Sequence, residues 1–112
     1  MPYDERLAQR IRAALKDRPH ITEKRMFGAV AFLRRGLMFA GVSGASLMAR
    51  VGKDHHADSL ARPHVRPMDF TGRPMQGYVF VDPEGTASAA QLRFWLDRCE
   101  QFVATLPPKA GH

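Results

Sequence analysis

The sequence predicts an α+β domain in which helices pack against an antiparallel sheet. Three observations carry that expectation: a four-residue apolar period at the amino end, short β-prone runs punctuated by glycine in the middle, and a capped amphipathic helix at the carboxyl end. A chain of 112 residues, 45% hydrophobic and 25% charged, has room for one core. The domain is expected to occupy residues 1–106, with a flexible tail over 107–112.

Tyr3, Leu7, Ile11 and Leu15 recur every four residues, while Asp4, Glu5, Arg6, Arg10, Arg12 and Lys16 fill the remaining surface. That is a one-sided helix, ending before Pro19. The period then changes. Arg25–Leu33, Leu37–Val42 and Leu47–Val51 read as three strands of a meander, joined by Arg34-Arg35-Gly36 and Ser43-Gly44-Ala45, where glycine tolerates the backbone of a tight return. Lys53–Ala61 reads as a short helix capped by Asp54, with Ala57, Leu60 and Ala61 inward. The stretch up to Gln76 holds Pro67, Gly72 and Pro74, and Met68, Phe70 and Met75 anchor it as a packed loop. Gly77–Asp82 supplies a returning strand. Ser88 and Gln91 have the spacing of a capping box, and Leu92, Trp95 or Leu96, Cys99, Phe102 or Val103, and Leu106 give the final helix a broad apolar face that stops at Pro107-Pro108.

Seventeen Lys plus Arg against eleven Asp plus Glu leave a net charge of +6. The excess points toward an anionic partner, but its placement decides its meaning. A single cysteine, Cys99, excludes an intramolecular disulfide, and its place beside an apolar helical face reads as a buried neutral thiol. His55 and His56 are adjacent, and neither they nor His20 and His64 have the spacing of a metal site. The glycines form no phosphate loop and no dinucleotide fingerprint. No apolar run approaches membrane-spanning length, and a cytoplasmic location is expected.

The cations that carry a functional reading are Lys24-Arg25 and Arg34-Arg35 at the two ends of the first expected strand, followed by Arg50, Lys53, Arg62, Arg66 and Arg73. They are able to surround phosphates, although Asp54, Asp58 and Asp69 interrupt the series. Asp69 and Arg73 bracket Phe70-Thr71-Gly72, an arrangement that either pins a turn or presents a recognition pair.

The ordered series Lys24-Arg25-Met26-Phe27-Gly28, Gly36-Leu37-Met38-Phe39-Ala40, Leu47-Met48-Ala49-Arg50-Val51-Gly52 and Arg66-Pro67-Met68-Asp69-Phe70-Thr71-Gly72-Arg73-Pro74-Met75-Gln76-Gly77-Tyr78-Val79 resembles the TfoX amino-terminal domain family, over roughly residues 5–106. The resemblance implies a curved antiparallel sheet packed by helices, in the order α-β-β-β-α-(β)-β-α, with a further short strand inside the 66–75 loop. Ala29 and Ala31 stand where the family often has glycine, and Phe32 where tyrosine is common. The family takes its name from competence regulators, also called Sxy proteins, which resemble coactivators of a cyclic-AMP receptor transcription factor and are not enzymes. Those regulators typically add a carboxyl-terminal helical domain, so the chain is expected to be a stand-alone amino-terminal domain.

The resulting expectation is a non-enzymatic regulatory or protein-interaction module without cofactor or metal, monomeric or homodimeric and away from membranes. Its partner is a protein, with a transcriptional component among the candidates; direct DNA or RNA binding through a basic surface is the alternative. The candidate interaction residues are Lys24, Arg25, Arg34, Arg35, Asp69 and Arg73.

Overall fold

The computed structural model describes residues 3–26, 28–69 and 74–107. Asp4 opens helix α1 (Glu5–Leu15), its carboxylate accepting from the Arg6 amide at 2.9 Å and the Leu7 amide at 3.4 Å. These first-turn amides have no partner within the helix, which is why an acidic cap is stabilising there. Leu7, Ala8, Ile11 and Leu15 form the buried stripe of α1.

Four strands follow: β1 (Ile21–Met26), β2 (Ala29–Arg34), β3 (Leu37–Ser43) and β4 (Ser46–Arg50). The expected single strand Arg25–Leu33 is therefore two strands, folded back through Gly28, whose φ of 75° suits glycine. After β4, a 3-10 turn at Lys53–His55 leads into α2 (His56–Leu60). Asp54 makes no capping bond; Gly52 precedes the turn instead. The inward residues also differ from expectation: Ser59 is buried and Leu60 half-buried, while Ala57 and Ala61 are exposed. Starting the α-helix three residues later, after a tighter turn, rotates its buried side.

The loop expected between Pro63 and Gln76 contains β5 (Val65–Asp69), and the returning strand β6 (Pro74–Val81) begins earlier than Gly77. Met68 is buried as expected of an anchor, whereas Met75 is 38% exposed. Phe27, Phe70, Thr71, Gly72 and Arg73 lie outside the described residues, as does the tail beyond Pro107. Helix α3 (Ala89–Ala104) has the predicted reciprocal cap: Ser88 Oγ accepts from the Gln91 amide at 3.1 Å, and Gln91 Oε1 accepts from the Ser88 amide at 2.8 Å.

The strands form one six-stranded antiparallel sheet in the order β1-β2-β3-β4-β6-β5. The expectation of a curved sheet does not hold: the sheet is open, neither curled nor closed, because β1 and β5 stand at opposite edges and do not pair. The element order gains one strand, from the split of the first, while β5 is the further short strand expected near the 66–75 loop; the order is α-β-β-β-β-α-β-β-α.

Residues paired across neighbouring strands share a face, so the register divides the side chains into two sets. One face carries the row Glu23, Phe32, Ala40, Ala49, Val79, Pro67 and the row Arg25, Val30, Val42, Leu47, Val81, Val65. The central four residues of both rows are buried and belong to one core with the stripe of α1 and with Leu92, Trp95, Leu96, Cys99 and Val103 of α3. The other face carries Lys24, Ala31, Gly41, Met48, Phe80 and Arg66 in one row. There the Met48 terminal methyl lies 2.5 Å from where a Cβ on Gly41 would stand, so the methionine lies along the sheet.

Candidate functional site

Lys24 and Arg25 are consecutive on β1 and therefore project to opposite faces of the sheet. Both are exposed. Arg25 shares its face with the helices and contributes to holding the Glu5 carboxyl below its usual range, an effect led by the hydrogen bond from Arg12. Lys24 ends the row that reaches Arg66 on the far edge.

Arg34 and Arg35 lie at the opposite end of the β1–β2 hairpin. Arg34 pairs with Ile21 and Arg25 with Val30, so four residues of strand, about 13 Å, separate the two basic pairs. Arg34 is not a free cation. Its Nε lies 3.2 Å from Glu100 Oε2, at an angle too poor for a hydrogen bond, while Arg18 donates to Glu100 Oε1 at 2.5 Å and to Asp97 Oδ1 at 2.7 Å. This group of two cations and two carboxylates ties the α1–β1 connection and β2 to α3. Arg35 occupies the β2–β3 turn with φ 53°, is exposed, and uses its backbone amide on the His20 carbonyl at 3.1 Å. The side chain of Asp69 and all of Arg73 lie outside the described residues.

The other cations are distributed in the same manner. Arg12 spans from α1 to β1, bonding Glu5 Oε1 at 2.6 Å and Glu23 Oε2 at 2.8 Å. Arg66 donates to Asp82 Oδ1 at 2.9 Å and to Ser46 Oγ at 3.1 Å. Burial raises the Asp82 carboxyl, but the bonds from Arg66 and Ser46 prevail and hold it below its usual range. Arg10 donates to the Thr86 carbonyl at 2.7 Å. Arg62 lies 4.1 Å from the centre of the Phe94 ring, Arg98 4.7 Å from the same ring, and Arg50 5.5 Å from that of Tyr78. Most of the arginines are thus engaged within the domain, and among the described residues the excess charge falls on side chains such as Lys16, Lys24, Arg25 and Arg35, which form no ion pair.

Among the described residues the titratable groups do not converge on a reacting centre. Burial pushes the Cys99 thiol up to about 12, which keeps it protonated and unreactive. His55 Nδ1 stands 3.3 Å from Asp58 Oδ2 on the surface, and His56 Nδ1 accepts the Gly77 amide at 3.0 Å, which fastens α2 to β6. Among the described residues no three His, Cys, Asp or Glu side chains are grouped to hold a metal ion, and no helix is long and apolar enough to cross a membrane.

One feature was not anticipated from the sequence. A cavity of about 340 Å³ opens between α1 and β1, with Leu15, Ile21 and Phe32 as its apolar lining and Arg12, Lys16 and Arg18 around it. The polar run Thr22-Glu23-Lys24-Arg25 signals the exposed strand beside it but not the cavity itself.

Comparison with curated proteins and with solved structures finds no match. The model of the TfoX N-terminal domain matches residues 13–103, a span that runs from the second half of α1 almost to the end of α3 and takes in the entire sheet. The chain belongs to the TfoX N-terminal domain family.

Proposed function

We propose that this domain is a non-enzymatic regulatory module that acts in the cytoplasm by binding another protein, with a component of the transcription apparatus as the partner class. The observation that supports the reading most is the dispersal of the basic residues. Arg12, Arg18, Arg34, Arg66 and Arg98 are each matched to carboxylates of the same chain. A protein that gathers a polyanion needs several unmatched cations along one path, whereas Lys24 and Arg25 stand apart from Arg35 by the length of the hairpin. Interaction through a shaped edge fits this distribution better than neutralisation of a phosphate backbone.

The test is reconstitution. Proteins retained by the immobilised domain are identified, produced separately, and titrated against it by calorimetry and analytical ultracentrifugation. A saturable complex of fixed stoichiometry supports the reading. Absence of any such complex, together with nucleic-acid retention that weakens steeply with salt, would replace it with direct nucleic-acid binding.

A further inference from the structure

We infer that the free edge of β1, together with the cavity beside α1, is a docking site for an extended acidic segment of a partner protein, added to the sheet as a further strand. The inference rests on the protein-binding reading above and specifies where and how the partner is held.

The first support is the direction of the backbone. The Arg35 amide donates to the His20 carbonyl, one step beyond the Ile21–Arg34 pair and in the same register. Hydrogen-bonded and non-bonded pairs alternate along an antiparallel ladder, so Ile21, Glu23 and Arg25 turn their N–H and C=O groups away from β2. No register shift interrupts β1. The opposite edge is different. The Asp82 amide donates to the His64 carbonyl at 2.8 Å, which sets the phase of β5 and points the Pro67 nitrogen outward. Proline has no proton to offer there, and a register shift follows between Pro67 and Asp69. Of the two edges, β1 is the one able to accept a regular strand.

The second support is what lies beside that edge. A strand laid along β1 directs every second side chain toward α1, into the cavity lined by Leu15, Ile21 and Phe32. An apolar residue opposite Ile21 packs on that half-buried side chain, above a floor formed by the buried Leu15 and Phe32. Charge selects the remainder. Glu5 and Glu23 are occupied by Arg12, whereas Lys16, Lys24 and Arg25 form no ion pair among the described residues. Acidic residues opposite Lys24 and Arg25 complete the complement, one on each face of the sheet. Lys24 and Arg25 thereby serve one strand, although their side chains diverge.

The experiment is selection of a displayed library of random linear peptides on the folded domain, followed by affinity and NMR measurements on the enriched sequences. The expected consensus places acidic residues next to each other and an apolar residue several positions away, with amide shifts at Ile21, Glu23 and Arg25. Glu23→Pro deletes an outward donor without removing a ladder bond to β2, and is expected to weaken binding about tenfold or more. The double change Lys24→Glu and Arg25→Glu touches only exposed side chains and has the same expected effect if the proline variant fails to fold. No enrichment, or enriched peptides that bind both variants as tightly as the original, would overturn the inference. A reconstituted partner indifferent to both variants would remove the β1 site while leaving the protein-binding reading intact.

Discussion

Replacing Glu100 with alanine tests whether Arg34 belongs to the scaffold or to a binding surface. Glu100 is 16% exposed at its side chain and faces two guanidiniums, Arg18 at 2.5 Å and Arg34 at 3.2 Å. A charge-assisted hydrogen bond contributes about 1.5–3 kcal/mol, and stripping one partner from a fully buried pair costs about 3–5 kcal/mol. The arginine side chains retain 24% and 22% exposure, and Arg18 keeps Asp97, so solvent and the second carboxylate reduce the loss. The expected destabilisation is about 2–3 kcal/mol, a large part of the roughly 5–15 kcal/mol that holds a domain together. Trp95 is the single tryptophan and lies in the core, so urea unfolding followed by its fluorescence reports the change. Combining Glu100→Ala with Arg34→Ala completes a double-mutant cycle, in which the expected coupling is about 1 kcal/mol or more. A loss below about 1 kcal/mol with no coupling would mean that Glu100 does not hold Arg34 in the scaffold and that its guanidinium is free to bind.

Three further outcomes follow from the packing. Gly52→Ala, at φ 85° and with the new Cβ directed into the Phe102 ring, is expected to cost about 2 kcal/mol or more, read as a lowered thermal midpoint. Ser88→Ala removes the acceptor of the Gln91 amide and is expected to cost about 1 kcal/mol by urea titration; an unchanged midpoint would contradict the cap. Cys99 resists thiol reagents until the domain unfolds. Because its folded pKa of about 12 lies above the unfolded value near ~8.5, its contribution is intact below pH ~8.5 and is lost as pH rises toward ~12, by about 1.4 kcal/mol per pH unit; Cys99→Ala flattens that alkaline limb.

Much of this fold is legible because its signals are local. The α3 helix declares its start through Ser88 and Gln91, three residues apart, and its buried side through the spacing of Leu92, Leu96, Cys99 and Val103. The same holds for α1 and for the turns around Gly36 and Gly44. The β1 strand escapes because an edge strand exposed on both faces has no apolar alternation, so most of it carries no strand signal while the run from Arg25 to Leu33 reads as one strand. The curvature expected of the sheet also failed, since whether two edges meet is a property of the whole sheet and not of any segment. The candidate site was legible as a set of residue types but not as an arrangement. Nothing near Arg34 in the sequence indicates that Glu100 approaches it, or that the Arg18 guanidinium completes the group. Conversely, the cavity beside β1 arises from α1 lying over a strand several residues further along, which no short motif encodes.

The proline in β5 has a consequence for assembly. An open sheet with two competent edges permits one molecule to dock its first strand on the last strand of the next, and repetition of that step has no natural end. Pro67 takes a donor out of the receiving edge, and the register shift beside it breaks the regular ladder that a second molecule would extend. An encounter of β1 with β1, related by a twofold axis, would use up both regular edges at once. The irregular edge thus works against open-ended growth of the sheet into a fibre.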